Sequence, residues 1–412
     1  GIVIRGTGGP GAKTPGLGIG AAFDLNTSGV KVSDALIEEN EIIGFRAFTT
    51  DSSTNLTNVT IRNNGPDSPT RVHEGAGLLF RSTSWTSKGP AEISNLLVEN
   101  STGSGVVMAK GGVIGENWVI RDSGYNGVSF SEFHPRVEQI LSEGNNGHGV
   151  SVIDSSNVEL SSVHTSGNGI GVLDGAGIYF RDSNYVMSGG KNVSCHTCTS
   201  QGDQRGIVAK DSIDLQLIST SVHGSLSEPA VEIDNTGSLF SGLVIIDDMS
   251  VNSNSSDYSV VLNNVDAEIS GLDISGNGGG LFWKASGTAA SKISNSVIWD
   301  SESSCLDLVS HANLSASAVS LMCHQSFPTI DESIVSFVDS SLNQLPGVQN
   351  SFSLNSSSHL RWISSHEIST PNSIEDDNIL DIMWNLEIHT INQNLMNIPM
   401  AMVNISFENY EA

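Results

Sequence analysis

Apolar residues along this chain come in short alternating tracts separated by polar turns, and the tracts return at a fixed distance. Four segments align at their starts: SGVVM from Ser104, NGVSF from Asn126, HGVSV from His148 and IGVL from Ile170. Their glycines, Gly105, Gly127, Gly149 and Gly171, follow one another at steps of 22 residues. Ahead of each lies a second tract: ISNLLVEN (93–100), ENWVIRDS (116–123), VEQILSEG (137–144) and VELSSVHT (158–165). Alternation with a period of two predicts strands, because successive side chains on a strand point to opposite faces. A fixed return predicts that each strand stacks on its equivalent one coil later, which is a solenoid of short parallel strands. With coils about 4.8 Å apart, roughly fourteen of them make a rod on the order of 65 Å long.

Other features of the repeat carry their own expectations. The recurring glycines fit turns that need a positive φ or a tight bend beside a strand. The recurring Asn and Asp fit turns whose side chains bond along the stack. Longer stretches near residues 66–75, 174–190 and 252–258 are expected as loops bulging from one edge of the rod. The pattern resembles the parallel β-helix repeats of the pectate-lyase-like superfamily, over roughly residues 1–355. That resemblance implies an all-β, right-handed parallel β-helix, assigned to residues 1–359. The superfamily hosts lyases, hydrolases, adhesins, tailspikes and surface-layer proteins, so the resemblance implies a fold more than an activity.

After residue 359 the character of the chain changes. Residues 360–379, with Pro371 and a short acidic run, read as a linker or cap. Within residues 380–412, IMWNLEIHTINQNLMNIPMAMVNISF alternates like two strands joined by a polar turn. This resembles the opening hairpin of an immunoglobulin-like or carboxypeptidase-regulatory-like β-sandwich. Such a sandwich needs about 100 residues, so the hairpin is expected to be truncated or completed by another chain.

Composition narrows the function classes. Ser, Thr and Asn number 65, 21 and 35, a polar content that disordered chains share, yet the 38% of hydrophobic residues gathered in Val-, Ile- and Leu-rich tracts argues for order. The balance of 18 basic against 45 acidic residues, a net charge of −27, disfavours nucleic acid, anionic membranes and polyanionic substrates. No apolar run is long enough to span a membrane as a helix. The chain opens at Gly1-Ile2-Val3-Ile4, already strand-like, and reads as a segment of something longer.

The sharpest catalytic hint is Gly147-His148-Gly149. It is similar to the glycine-histidine-glycine motif of polygalacturonases, and by that resemblance His148 would assist a pair of catalytic carboxylates. Glycoside hydrolysis needs two carboxylates flanking the scissile bond. The preceding coils offer Asp122 and Glu132, without the family's Asn-x-Asp and Asp-Asp motifs, and no Arg-x-Lys follows the histidine. The repeat supplies a plainer reading, in which His148 fills the variable slot held elsewhere by Ser104, Asn126 and Ile170. A lyase would need an Arg or Lys base beside a calcium cluster, whereas the ten Arg and eight Lys are scattered singly. For a neutral glycan, Asp154, Asp182, Asp203 and Asp211, on expected turns, are the candidate carboxylates, with the solvated surface acid as the commoner reading. Trp85, Trp118, Tyr125, Tyr179, Tyr185 and Trp283 are the candidate sugar-stacking residues, although Trp118 falls in a core tract.

Cys195-His196-Thr197-Cys198 precedes no helix, so a thioredoxin-like role does not fit. The spacing favours two local disulfides, Cys195–Cys198 and Cys305–Cys323, over the other pairings and over reduced buried thiols, and disulfides imply an oxidising compartment. Sequons for glycosylation stand at Asn26, Asn55, Asn58, Asn100, Asn192, Asn254, Asn313, Asn355 and Asn404. These nine compare with about seven expected by chance from the composition. No cofactor is called for; acidic loops of this kind suit calcium, but no calcium-loop motif is present. Together these readings point to a secreted or cell-surface structural, adhesive or glycan-binding protein without catalytic activity. Its expected partners are glycans or other envelope proteins. The competing expectation is a polysaccharide hydrolase or lyase, and a trimeric viral fibre ranks third.

Overall fold

A computed structural model shows an all-β parallel solenoid of about twelve turns. It describes residues 2–5, 19–23, 30–49, 54–66, 75–82, 90–170, 172, 174–181, 193–211, 214–227, 229–237, 242–253, 258–276, 279–287, 289–300, 305–323, 328–344, 352–363 and 378–383.

One coil shows the plan. Within Val106–Arg121, residues 106–109, 113–116 and 118–121 pair with 128–131, 135–138 and 140–143 of Val128–Glu143, all parallel and offset by 22. Each coil therefore gives one strand to each of three faces, here called first, second and third. A single residue with positive φ bends the chain between the second and third strands: Asn95, Asn117, Gln139 and Ser162 hold that place in successive coils. Asn is among the residues that tolerate this conformation best, because its short polar side chain bonds locally. In-register pairing puts like residues above one another. The inward file of the first face runs Phe45, Leu78, Val106, Val128, Val150, Ile178, Ile207 and Val231. One apolar cluster extends from Ala35 to Trp362, so the interior is a filled core.

The strict period is shorter than the sequence alignment suggests. Val150 pairs with Ile178, so the stack resumes at Gly177, 28 residues after Gly149. Ile170 and Val172 of the IGVL segment stand outside the stack and are exposed. The segment that stacks is Ile178–Arg181, which buries Ile178 and Phe180. Periodicity selected the nearer glycine-led segment; burial selects the one with bulky residues at both inward positions.

Of the two reasons expected for the glycines before the first strand, positive φ is not the one that applies. Gly105, Gly127 and Gly149 are not in the left-handed region. A Cβ on Gly127 would meet the carbonyl oxygen of Gly149 at 2.6 Å and Nδ2 of Asn145 at 2.7 Å. The slot needs glycine for close approach, and the neighbour is a buried ladder of polar side chains. Asn40 donates its backbone N–H and its amide to Oδ1 of Asn64 (3.1 and 2.8 Å). Ser123 N–H donates to Asn145 Oδ1 (3.0 Å), and Asn145 donates twice to Asn168 Oδ1 (3.0 and 2.7 Å). Asn168 in turn donates twice to Oδ1 of Asp203 (2.6 and 2.9 Å). A second, exposed ladder links Asp34, Asn58, Asn95 and Asn117 at 2.9–3.1 Å. The expectation that Asn and Asp bond along the stack holds in both.

Charged residues are ordered too. The outward file at the end of the third strand reads Arg5, Glu38, Arg62, Glu99, Arg121, Glu143. Arg62 pairs with Glu38 at 2.7 Å, Arg121 with Glu143 at 2.8 Å and with Glu99 at 4.0 Å, and Arg5 also pairs with Glu38. Bonding to Arg5 and Arg62 holds the Glu38 carboxyl below its ordinary range. Arginines that look scattered in the sequence are thus gathered by the register.

Both disulfides expected from the spacing are formed, Cys195–Cys198 across the bend between second and third strands, and Cys305–Cys323 between the start and the end of one coil. All four cysteines are buried in the core. The parallel stack runs past residue 359: His359–Ile363 pairs with Ile334–Val338 and then with Ile379–Met383. The remainder of the expected linker and hairpin lies outside the described residues, as do most residues of the three expected edge loops.

Candidate functional site

Beside the inserted loop, described side chains gather around His148. Backbone bonds from Gly127 to His148, from Gly149 to Ala176 and from Gly177 to Arg205 place Asn126, His148, Ala176 and Arg205 in one file. The slot of His148 is therefore shared with Ala176 and Arg205, and not with Ile170. The file borders the outward side of the first face, where Ser151, Tyr179, Val208 and Glu232 follow one another. Two turns closed by Val172 N–H to Gly169 O and Gly175 N–H to Val172 O (both 3.0 Å) carry Asp174 over this face.

His148 stacks on Tyr179, with ring centroids 4.2 Å apart and planes 8° from parallel. Its backbone N–H donates to Asn126 Oδ1 at 2.9 Å. Burial pushes the imidazole pKa down to about 4, helped by the Arg205 and Lys210 cations and opposed by Asp174. His148 is therefore neutral across the physiological range. Burial also raises the Tyr179 phenol. Arg205, only 10% exposed, pairs with Asp174 at 2.9 Å and with Glu232. Nδ1 of His148 and Oγ of Ser151 are buried without a hydrogen-bond partner. Ala176, Tyr179, Val208 and Ile153 form a small apolar cluster outside the main core.

The carboxylates that the sequence associates with His148 lie elsewhere. Asp122 stands exposed at the corner between third and first strands, on a polar groove with Asn100, Thr102, Gly144 and Asn146. Glu132 lies beyond the far end of the intervening strand, at the next corner, and pairs with Lys110 at 3.6 Å. The carboxylate near His148 is instead Asp174; Glu232 stands two rungs beyond Tyr179 on the same face, and both accept from the Arg205 guanidinium. Sequence reasoning missed them because they lie 26 and 84 positions downstream. The signal that finds them is the register beyond the insertion.

The other candidates are distributed as follows. Trp118 and Trp283 are core residues, Tyr179 is covered by His148, Tyr125 is exposed at a corner, and Trp85 and Tyr185 lie outside the described residues. Trp299, which the sequence reading did not single out, is exposed on the third face. Asp203 is fully buried, contrary to its reading as a surface acid, whereas Asp154 and Asp211 are partly exposed and Asp182 is outside the described residues. Among the sequons, Asn58, Asn100 and Asn313 are exposed, and Asn55 and Asn355 are partly so. Asn26, Asn192, Asn254 and Asn404 lie outside the described residues. Among the described residues, no three His, Cys, Asp or Glu side chains converge as a metal site. Likewise, no helix there is long and apolar enough to cross a membrane.

The chain matches no protein-family model and no curated protein sequence.

Proposed function

We propose that this chain is a non-catalytic structural or adhesive rod of a cell surface or secreted assembly, presenting its loop-bearing face to glycans or to other envelope proteins. The observation that carries the reading is the state of His148. Its ring is stacked on Tyr179 and held neutral, and the neighbouring carboxylates are bound to one arginine. That arrangement builds a rigid wall. A glycosidase would instead hold two carboxylates across an open gap of about 5–9.5 Å. The polar and charged ladders and the two disulfides suit a stiff element, and disulfides favour an oxidising compartment.

The rival reading, a polysaccharide hydrolase or lyase, draws on one observation: Asp174 stands beside His148, and Glu232 lies further along the same face, both held by Arg205. A depolymerisation screen against neutral and acidic polysaccharides separates the two. No turnover is expected, and binding, where present, is expected to survive His148→Ala and Glu232→Gln with a folded protein. Depolymerisation abolished by either substitution would establish the rival.

A further inference from the structure

The outward file of the third face points to a second copy of this chain as its partner. With a net charge of −27, two copies repel one another over most approaches. This file is an exception, because Arg62, Glu99, Arg121 and Glu143 alternate in sign and sum to zero. Their side chains are 42%, 28%, 42% and 36% exposed, whereas Glu38 is sunk beneath Arg5 and Arg62. A half-buried and largely apolar file runs alongside, made of Thr60, Leu97, Val119 and Leu141.

An alternating file of four charges is self-complementary when reversed. A two-fold axis perpendicular to the rod sets Glu99 against Arg121 of the second copy. The same axis sets Arg62 against Glu143, so each of these four charges meets its opposite, while Arg5 faces Gln201. A parallel, unshifted approach would instead set like against like. We infer that this face is the contact of an antiparallel two-fold dimer, centred between the rungs of Glu99 and Arg121. In that register the eight rungs from Arg5 to Gln201 overlap. The shared strip measures roughly 34 by 13 Å, about 450 Å² per copy, which is at the low end for specific interfaces. The dimer is therefore weak and sensitive to salt.

Sedimentation velocity on the 412-residue chain tests this. Reversible dimerisation is expected at low ionic strength, and it disappears in about 0.5 M salt. Glu99→Arg sets like charges together at two symmetric places and is expected to weaken the dimer at least about tenfold. The double swap Glu99→Arg/Arg121→Glu restores opposite charges between copies while breaking the alternation within each chain, and is expected to restore the dimer. Circular dichroism checks that each variant folds. Should the charge variants unfold, Leu97→Lys on the same strip is expected to give a folded monomer. A wild type that stays monomeric up to roughly 500 µM overturns the inference. So does a dimer untouched by Glu99→Arg or by Leu97→Lys, or a double swap no better than the single one.

Discussion

At the scale of single residues, Asp203 shows what it means to end a polar ladder on a charge. Its carboxylate is fully buried and accepts from Thr165 Oγ1 (2.7 Å), Ser200 Oγ (2.6 Å) and Asn168 twice (2.6 and 2.9 Å). Burial raises its pKa, and those bonds pull it back in part. In the folded state Asp203 therefore holds its proton more tightly than in the unfolded chain. Ionisation costs stability as the pH rises through the ordinary carboxylate value and on past the raised one. Asp203→Asn keeps an oxygen for Asn168 and turns a donor toward the two hydroxyls. The variant is expected to be more stable by about 1–2 kcal/mol at neutral pH. In urea titrations the gap is expected to close on acidification and to vanish below about pH 4. A gap that widens in acid contradicts this account of the buried charge.

At the scale of the coil, the glycine slot and the ladder constrain each other. Glycine holds the slot at Gly127, Gly149 and Gly177, each beside a ladder residue of the following rung. One rung later Gly206 holds the slot beside Val222, and at the next rung Ala230 takes it, accepting from Ile207 N–H. Gly127→Ala is thus expected to destabilise by about 1–3 kcal/mol, since its Cβ meets the bonded Ser142 hydroxyl, a backbone oxygen and a bonded amide that cannot yield cheaply. Pairing it with Asn145→Ala removes one of the three close contacts, leaving Ser142 Oγ and the Gly149 oxygen. In a double-mutant cycle the combined loss is expected to be smaller than the sum of the single losses. Strict additivity would mean that the ladder does not decide the slot.

At the scale of the whole rod, stability is distributed rung by rung, since each coil contacts chiefly its neighbours. The Cys305–Cys323 bond closes a loop of 18 residues in the C-terminal third. Loop closure of that length is worth about 3 kcal/mol. Replacing both cysteines with alanine is expected to speed amide hydrogen exchange in residues 279–344, while residues 91–166 keep their protection. Uniform loss along the chain would show instead that the rod unfolds as one unit.

Much of the fold is legible in the residues. Period-two tracts mark strands such as Ala91–Glu99 and Val158–Ser166, and the cysteine spacings mark both disulfides. Side-chain bonding along the stack is readable from recurring Asn and Asp. These features are local, set by alternation, turn chemistry and the length of a coil. The cluster around His148 is not local. It depends on which glycine-led segment follows Gly149 in the stack, and a six-residue difference in that choice exchanges Ile170 for Ala176 beside the histidine. The burial of Asp203, the Arg–Glu file and the need for glycine without positive φ have the same origin. Each arises from atoms 22 to 38 positions apart being brought one rung from each other. The sequence by itself determined that strands form and that they stack. Only the tertiary structure decided which residues stack on which, because insertions change the register while the alternating pattern within each strand stays the same.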